Sequence, residues 1–139
     1  MNVVIDTDVW VAVVRGSGHA NRVLRLCLEE RFTPLMGAAL LAEYEDLLGR
    51  ESIWRGARLT ATDRESFLDI FLSVCRWTRI YYAWRPNLRD ETDNYLMELA
   101  VAGQAAYLVT RNVRDLRGGE LKFPTISVVT PAQLLKEQE

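Results

Sequence analysis

The chain has 139 residues, of which 49% are hydrophobic and 26% charged, and these proportions are those of a globular protein and not of a disordered one. We expect one domain over residues 1–139, and the net charge of −2 argues against a surface coated for nonspecific nucleic-acid binding. No apolar run reaches the ~18 residues that a membrane span needs, and no secretory signal precedes the first strand, so we expect a cytoplasmic protein.

The rarer residue types narrow the possible chemistry. Cys27 and Cys75 lie in amphipathic helical patterns, which indicates reduced core residues and not a disulfide. His19 is the only histidine and the two cysteines are far apart in the sequence, which argues against a structural zinc site. Lys122 and Lys136 are the only lysines and the other basic residues are arginines, whose rigid fork suits phosphate. Codon usage in a GC-rich genome explains that bias equally well.

The first half of the chain predicts alternating strands and helices. Short β-branched runs indicate buried strands, and apolar residues three and four positions apart indicate helices that bury one face. The helix that Ser17 is predicted to cap should bury Val23, Leu24, Cys27 and Leu28. In chain order the predicted elements are a strand at 3–6, a helix that ends at Val14, the helix capped by Ser17, a strand at 32–36 and a helix at 38–48 ended by Gly49.

The second half begins with residues 51–59, which show no periodicity and are expected to be irregular. Thr62 is predicted to cap a helix that runs to about Cys75. The side chains expected to point inward from it are Phe67, Ile70, Phe71 and Val74. The remaining predicted elements are strands at 77–82, 106–109 and 126–129, a helix at 92–102 ended by Gly103, and a C-terminal helix capped by Thr130 and opened by Pro131.

Strands that alternate with helices predict an α/β fold with a parallel sheet and helices on both of its faces. In such sheets, ligands bind at the carboxyl ends of the strands, where the strand order reverses. Asp6 ends the first predicted strand and therefore lies at this edge, so we interpret it as a functional residue. For Asp8, a simpler interpretation is the N-cap of the short helix that follows.

Two further predicted helices carry candidate acids. In the helix at 38–48, Glu43 and Glu45 fall at opposite edges of the buried arc, and periodicity does not choose between them. Asp93 precedes apolar residues at the third, fourth, seventh and eighth following positions, so we expect it to face inward in the first turn of its helix. A buried carboxylate needs a compensating partner, such as a metal ion. The alternative is an acid that stabilises the helix N-terminus, with Asp90 as the N-cap.

The last polar group follows the strand at 106–109, again at the expected carboxyl edge. Thr110, Asn112 and Asp115 lie there, although Asp115 could instead pair with Arg114 or cap a turn. Oxygen donors that converge without His or Cys suit hard ions such as Mg²⁺ or Mn²⁺. Two such ions can activate water and stabilise the leaving oxygen when a phosphodiester is hydrolysed. The pattern therefore favours a metal-dependent phosphodiester hydrolase.

In these motifs the sequence resembles the PIN-domain ribonucleases, and more closely the VapC-like toxins of bacterial and archaeal toxin–antitoxin pairs. The resemblance covers nearly the whole chain, and the motifs that carry it are Val3-Val4-Ile5-Asp6-Thr7-Asp8, Leu41-Ala42-Glu43-Tyr44, Arg89-Asp90-Glu91-Thr92-Asp93-Asn94 and Leu108-Val109-Thr110-Arg111-Asn112. It implies a three-layer α/β/α sandwich, an Mg²⁺- or Mn²⁺-dependent endoribonuclease acting on RNA, and a cognate antitoxin as partner.

The resemblance also implies roles for particular residues. Asp6, Glu43 and Asp93 would be the catalytic metal ligands, which favours Glu43 over Glu45, and Thr7 would hydrogen-bond within the site. Asp90, Thr110 and Asn112 would support it. Many members carry an acid at the position of Asn112, and those with Asn there often have Asp three residues later, which makes Asp115 a further candidate ligand.

Particular residues argue for or against the alternative interpretations of this sequence. A haloacid-dehalogenase-type phosphatase needs a Lys ahead of its final acidic motif, but Lys122 and Lys136 both come after Asp115. A receiver domain needs a Lys directly before its final Pro, and here Thr130 precedes Pro131. Asn112 keeps open a PIN-like binding module with weak or lost nuclease activity. Trp10 and Trp54 lie in short or irregular segments and could anchor a homodimer, although core packing explains them equally well.

Overall fold

The computed structural model describes residues 1–57, 60–80, 91–116 and 125–138, and within these it describes every side chain except those of residues 91–93. The strands are β1 (Asn2–Ile5), β2 (Thr33–Met36), β3 (Arg76–Trp77), β4 (Tyr107–Val109) and β5 (Ser127–Val129). They form one sheet in the order β3-β2-β1-β4-β5, and every neighbouring pair is parallel. The predicted α/β fold with a parallel sheet is confirmed.

Helices flank this sheet. They are α1 (Thr7–Val14), α2 (Gly18–Leu28), α3 (Ala38–Gly49), α4 (Glu51–Trp54), α5 (Ala61–Val74), α6 (Glu91–Ala102), α7 (Val113–Leu116) and α8 (Pro131–Glu137). None of them, as far as the described residues go, combines the length and apolarity that a membrane span requires.

The strand order reverses between β1 and β4. From β1 the chain adds β2 and then β3 on one side, and it returns to place β4 and β5 on the other. Val3, Val4, Leu108 and Val109 of the two central strands are fully buried. Strands covered on both faces read as continuous apolar runs, which explains why these short β-branched segments were recognisable as strands.

Side-chain caps set several helix ends where the sequence predicts them. The Ser17 hydroxyl accepts a hydrogen bond from the backbone N–H of Ala20 at 3.2 Å and so begins α2. Before it, Gly16 adopts a φ of +91°, which favours glycine and ends α1. Thr130 and Gln133 cap α8 reciprocally, with Pro131 in its first turn.

Two predictions for residues 51–62 are wrong, one about a helix cap and one about a stretch expected to be irregular. The N-cap of α5 is Thr60 and not Thr62, because Asp63 completes a reciprocal capping box with Thr60. The stretch expected to be irregular contains the short helix α4, which ends in the buried Trp54. The Trp54 indole N–H donates to the Leu47 carbonyl at 3.0 Å, so a tertiary contact and not periodicity holds this turn.

The predicted inward faces of α2 and α5 also need correction. Leu28 is 39% exposed, and Leu26 is buried in its place. On α5, Phe67 and Ile70 are 44% and 50% exposed, whereas Leu68 and Phe71 are buried. The strand predicted at 77–82 is limited, within the described residues, to Arg76–Trp77, and residues 81–82 lie outside them.

Candidate active site

The centre of the site lies where β1 and β4 end side by side. Ile5 is in register with Val109, so the next residues of the two strands, Asp6 and Thr110, meet at the carboxyl edge of the sheet. The Asp6 backbone N–H donates to the Val109 carbonyl at 2.9 Å, and the Thr110 hydroxyl donates to Asp6 Oδ2 at 2.8 Å. Both residues are buried. The Thr7 hydroxyl adds a longer bond of 3.4 Å to Asp6 Oδ1.

Asp8 belongs to the same cluster, and its interpretation as an N-cap is wrong. The N-cap position of α1 is Asp6, and Asp8 lies in the first turn. Its carboxylate accepts the backbone N–H of Arg111, at 3.2 Å to Oδ1 and 3.0 Å to Oδ2. The Thr110 hydroxyl lies 3.3 Å from Asp8 Oδ2. Asp8 therefore ties the first turn of α1 to the turn that follows β4.

Asp6 and Asp8 compete for a single hydroxyl proton. The Thr110 hydroxyl donates only once, and its 2.8 Å contact with Asp6 is shorter than its 3.3 Å contact with Asp8. Burial raises the pKa of Asp6 above its ordinary value. Burial, and then the negative charge of Asp6, raise the pKa of Asp8 to about 6. Hydrogen bonds and the charge of Arg111 offset these effects only in part, so the pair keeps carboxylate charge that a bound cation would stabilise.

Asn112 and Asp115 continue this hydrogen-bond network. The Asn112 backbone N–H donates to the Thr110 hydroxyl oxygen at 3.0 Å, and its side-chain amide donates to Asp115 Oδ2 at 3.0 Å. Both residues are exposed, and Asp115 lies in the short helix α7. Thr110 thus connects Asp6 to Asn112 and, through it, to Asp115. The Asp115 side chain accepts this hydrogen bond from Asn112. No ion pair in the described part of the chain joins Asp115 to Arg114.

The position of Glu43 is set by its neighbour Tyr44. The buried Tyr44 hydroxyl donates to the carbonyl of Ile5 at 2.6 Å, which fastens α3 to the end of β1. The Tyr44 ring packs against Trp10 and Phe71, with ring centroids 5.8 Å apart in each case. Glu43 itself is half-buried, whereas Glu45 is exposed.

Asp93 and Asp90 complete the predicted set. The backbone of Asp93 lies near the start of α6, whose following residues Leu96, Met97 and Ala100 are buried as predicted. The Asp93 side chain and the whole of Asp90 lie outside the described residues. Within the described part of the chain, no three Asp, Glu, His or Cys side chains gather closely enough to hold a metal ion.

The chemistry of the donors nevertheless fits a divalent cation. Asp6 and Asp8 supply carboxylate oxygens that lack a full set of hydrogen-bond donors, and their charges repel each other. Hard ions prefer such oxygen ligands. The sequence analysis missed Asp8 as part of the cluster, although one signal was available. An acid two positions after the strand-ending Asp6 falls in the first helical turn, at the same sheet edge.

The raised pKa values predict how the stability of the metal-free protein depends on pH. The unfolded chain loses the Asp8 proton near pH 3.8, whereas the folded chain keeps it to about pH 6. The folded state therefore binds more protons in this window, so the free energy of unfolding should fall as the pH rises through it, and Asp6 contributes in the same direction. Urea unfolding in chelator, measured from pH 4 to 8, checks this.

Asp8→Asn should flatten that pH profile. The amide oxygen can still accept the Arg111 N–H. Loss of the charge should add about 1 kcal/mol to the free energy of unfolding at pH 7, a modest gain because the carboxylate is only partly shielded from solvent. Asp69→Asn, at an exposed position on α5, is the matched control and should leave the profile unchanged. If the profile of Asp8→Asn runs parallel to that of the wild type, folding does not raise the pKa of Asp8 through burial and the charge of Asp6.

Comparison with known proteins places the chain beside one family. A family model described as a PIN domain matches residues 2–114. Among solved structures, a chain in the crystal structure of VapBC2 from Rickettsia felis bound to a DNA fragment from their promoter has the same fold. It matches with a TM-score of 0.62 and 17% identity, over 94% of this chain and 98% of that one. A search of curated proteins finds no match.

Proposed function

The chain belongs to the PIN domain family, and from this premise we propose that it is a metal-dependent endoribonuclease, the toxin of a type II toxin–antitoxin pair. The observation that carries the proposal is the convergence of the Asp6 and Asp8 carboxylates on the Thr110 hydroxyl, at the point where the strand order reverses. We propose further that residues 1–139 act as a single nuclease domain with Mg²⁺ or Mn²⁺ as cofactor.

In this proposal Asp6, Glu43 and Asp93 hold the ion, and Asp115 contributes charge from the turn after β4. A bound divalent ion would activate water and stabilise the charge that develops on the phosphodiester. The chain's own residues position these acids. The Thr110 hydroxyl orients Asp6, and the Arg111 N–H orients Asp8. Tyr44 holds the turn of α3 that contains Glu43 against the end of β1. Burial of Asp6 keeps its carboxylate from rotating freely into solvent.

Incubation of single-stranded RNA with the protein, with and without Mn²⁺, tests the proposal. We expect RNA fragments only when Mn²⁺ is present. RNA that is bound but remains intact in Mn²⁺ would instead support the second candidate, a PIN-like binding module with lost nuclease activity. That candidate rests on Asn112, because an amide brings no negative charge to the position where an acid would strengthen metal binding.

Asp115 is expected to supply that missing charge. Its carboxylate contacts the Asn112 amide, so it lies within the network that reaches Asp6. Asp115→Asn should raise the Mn²⁺ concentration for half-maximal cleavage several-fold, and Asn112→Asp should lower it or leave it unchanged. Metal titrations of RNA cleavage measure both changes.

Melting curves with Asp115→Ala separate this role from a structural one. If Asp115 only caps its turn, Asp115→Ala should destabilise the fold by roughly 1 kcal/mol, whereas Asp115→Asn keeps a capping oxygen and should leave both stability and the metal requirement unaltered. That combination would remove Asp115 from the site.

The proposed antitoxin has a candidate docking surface. Helices α1, α2, α4 and α5 line an apolar groove of about 510 Å³. Its walls include Trp10, Leu24, Leu28, Trp54, Phe67 and Phe71. Among these six, Leu28 and Phe67 are exposed, and exposed apolar surface of this kind marks interaction sites.

Charge at the apolar groove indicates the kind of segment that it would accept. Arg25 lines it at an exposed position, and Arg64 lines it at 5% exposure. One Arg64 nitrogen donates to Glu51 at 2.6 Å, but Arg64 Nε has no hydrogen-bond partner among the described residues. That atom is buried, so a docked segment does not reach it, whereas Arg25 is exposed and accessible to a carboxylate. We therefore propose that an apolar antitoxin segment with an acidic side chain that pairs with Arg25 occupies the groove.

Phe67→Glu should weaken binding of the proposed cognate antitoxin by tenfold or more, because a carboxylate would replace an apolar contact. Ile70→Glu is the matched control, since Ile70 is equally exposed on α5 but does not line the groove. Titration calorimetry of the purified pair measures both affinities. Equal losses in the two variants would move the interface away from the groove.

The homodimer stays a proposal, and the structure changes its basis. Trp54 is only 4% exposed and so serves as a core residue, whereas Trp10 is half-buried in the apolar groove. Sedimentation at micromolar concentration tests the dimer, and a monomer there would count against it.

A further inference from the structure

A small cleft with both polar and apolar lining lies beside Arg111, the residue whose backbone N–H contacts Asp8. Its volume is about 200 Å³, and it is lined by Ser17, His19, Arg111, Thr130, Pro131 and the alanines Ala12 and Ala132. Arg111 connects the cleft with the carboxylates, because its backbone N–H donates to Asp8 and the residue, which is exposed, lines the cleft. The cleft therefore begins one residue from the Thr110 hydroxyl that binds Asp6.

The negative charge of the site opposes the binding of RNA, and a cleft lined by a cationic residue would offset that repulsion. The chain has a net charge of −2, and Asp6 and Asp8 repel the phosphates of an approaching strand. Arg111 places a guanidinium beside them, and the ion pairs found in the described part of the chain, Arg50–Asp46 and Arg64–Glu51, do not engage it. An arginine fork matches the geometry of phosphate oxygens.

The other polar groups of the cleft suit the same ligand. The Ser17 and Thr130 hydroxyls each accept a helix-cap bond, so each keeps its own proton to donate. His19 is exposed and supplies a further ring N–H donor. No Phe, Tyr or Trp side chain among the described residues lines the cleft, so its lining favours phosphate contact over base stacking.

We propose that this cleft, with Arg111 and His19 as its principal contacts, binds a backbone phosphate of the RNA strand next to the one that is cleaved. The inference rests on the proposed ribonuclease function and adds a substrate subsite to it. Contact with phosphate alone carries no base information, so the contribution should be the same for RNAs of different sequence.

Arg111→Gln tests the subsite, with Arg114→Gln as the matched control. Arg114 is exposed in the same segment and does not line the cleft. In steady-state cleavage with Mn²⁺, Arg111→Gln should raise KM about tenfold and change kcat little, whereas Arg114→Gln should change neither. His19→Gln should raise KM several-fold. Equal KM values in the Arg111 and Arg114 variants would overturn the proposal.

A binding measurement separates this inference from the ribonuclease proposal. Fluorescence anisotropy of labelled oligouridine and oligoadenosine, titrated with Asp6→Asn protein, needs no cleavage. Adding Arg111→Gln should weaken the binding of both RNAs by the same factor and reduce the slope of log Kd against log salt concentration by about 0.7. If the wild type fails to cleave RNA but this loss appears, only the nuclease proposal fails. If cleavage occurs and the loss is absent, or depends on the base, only the subsite fails.

Discussion

Asp6→Asn is expected to abolish RNA cleavage, with a loss of at least about a hundredfold, while the fold stays intact. The Thr110 hydroxyl can donate to the amide oxygen as it does to Asp6 Oδ2, so the local geometry survives. Because burial raises the pKa of Asp6, the ionised carboxylate destabilises the folded state near pH 7. Its neutralisation should therefore leave the melting temperature of the metal-free protein unchanged or raise it.

Asp46→Asn provides the control for this result. Asp46 is exposed and pairs with the exposed Arg50 at 2.6 Å, and a surface pair of this kind contributes less than about 1 kcal/mol. We expect full cleavage activity from Asp46→Asn. A clear fall in the melting temperature of Asp6→Asn, or cleavage at the wild-type rate, would show that Asp6 is a structural residue.

Mn²⁺ is expected to raise the melting temperature of the wild-type protein, because it binds only the folded state. At a hundredfold excess over Kd, binding adds about 2.7 kcal/mol, which corresponds to roughly 5–10 °C for a chain of this size. Asp93→Asn should remove most of this shift, since Asp93 is a predicted ligand. Differential scanning calorimetry with and without Mn²⁺ measures it.

The two candidate acids of α3 give this experiment a matched pair. Glu43→Gln should lose the Mn²⁺ shift as Asp93→Asn does, whereas Glu45→Gln, at an exposed position two residues away, should keep it. The same shift in wild type, Asp93→Asn and Glu43→Gln would place the ion elsewhere.

Much of the fold follows from local signals in the sequence. The segments that form β1, β4 and β5 are largely apolar because both faces of the parallel sheet are covered. Ser17 and Thr130 were recognisable as caps because a side-chain oxygen at these positions satisfies a free N–H of the helix start. The approach of Asp6 to Thr110 also follows, since parallel strands end at one edge.

Tertiary contacts explain where the sequence was insufficient. On α5, Arg64 faces inward at 5% exposure because Glu51 pairs with it and the Trp54 ring lies 5.2 Å from its guanidinium. Periodicity predicted Phe67 and Ile70 there, since an apolar pattern does not reveal which of its residues line a surface groove. The cap at Thr60 was detectable, because Asp63 follows it at the capping-box spacing.

The same limit applies to the site. The contact of Asp8 with the Arg111 N–H depends on the turn after β4, whose path spacing alone does not determine. Glu43 and Glu45 could not be separated by periodicity, and the contrast between a half-buried and an exposed position comes from the anchoring of Tyr44 on Ile5. The resemblance to PIN-domain ribonucleases had already favoured Glu43.

The most direct test of metal-dependent RNA hydrolysis is a metal add-back experiment. Wild-type protein is stripped with EDTA, mixed with single-stranded RNA at enzyme excess, and assayed for cleavage as Mn²⁺ is restored stepwise. We predict no cleavage above the level of Asp6→Asn before metal is added, and a rate that rises with Mn²⁺ and then saturates. Cleavage that persists in EDTA, or RNA that stays intact with folded protein at saturating Mn²⁺, would contradict the account.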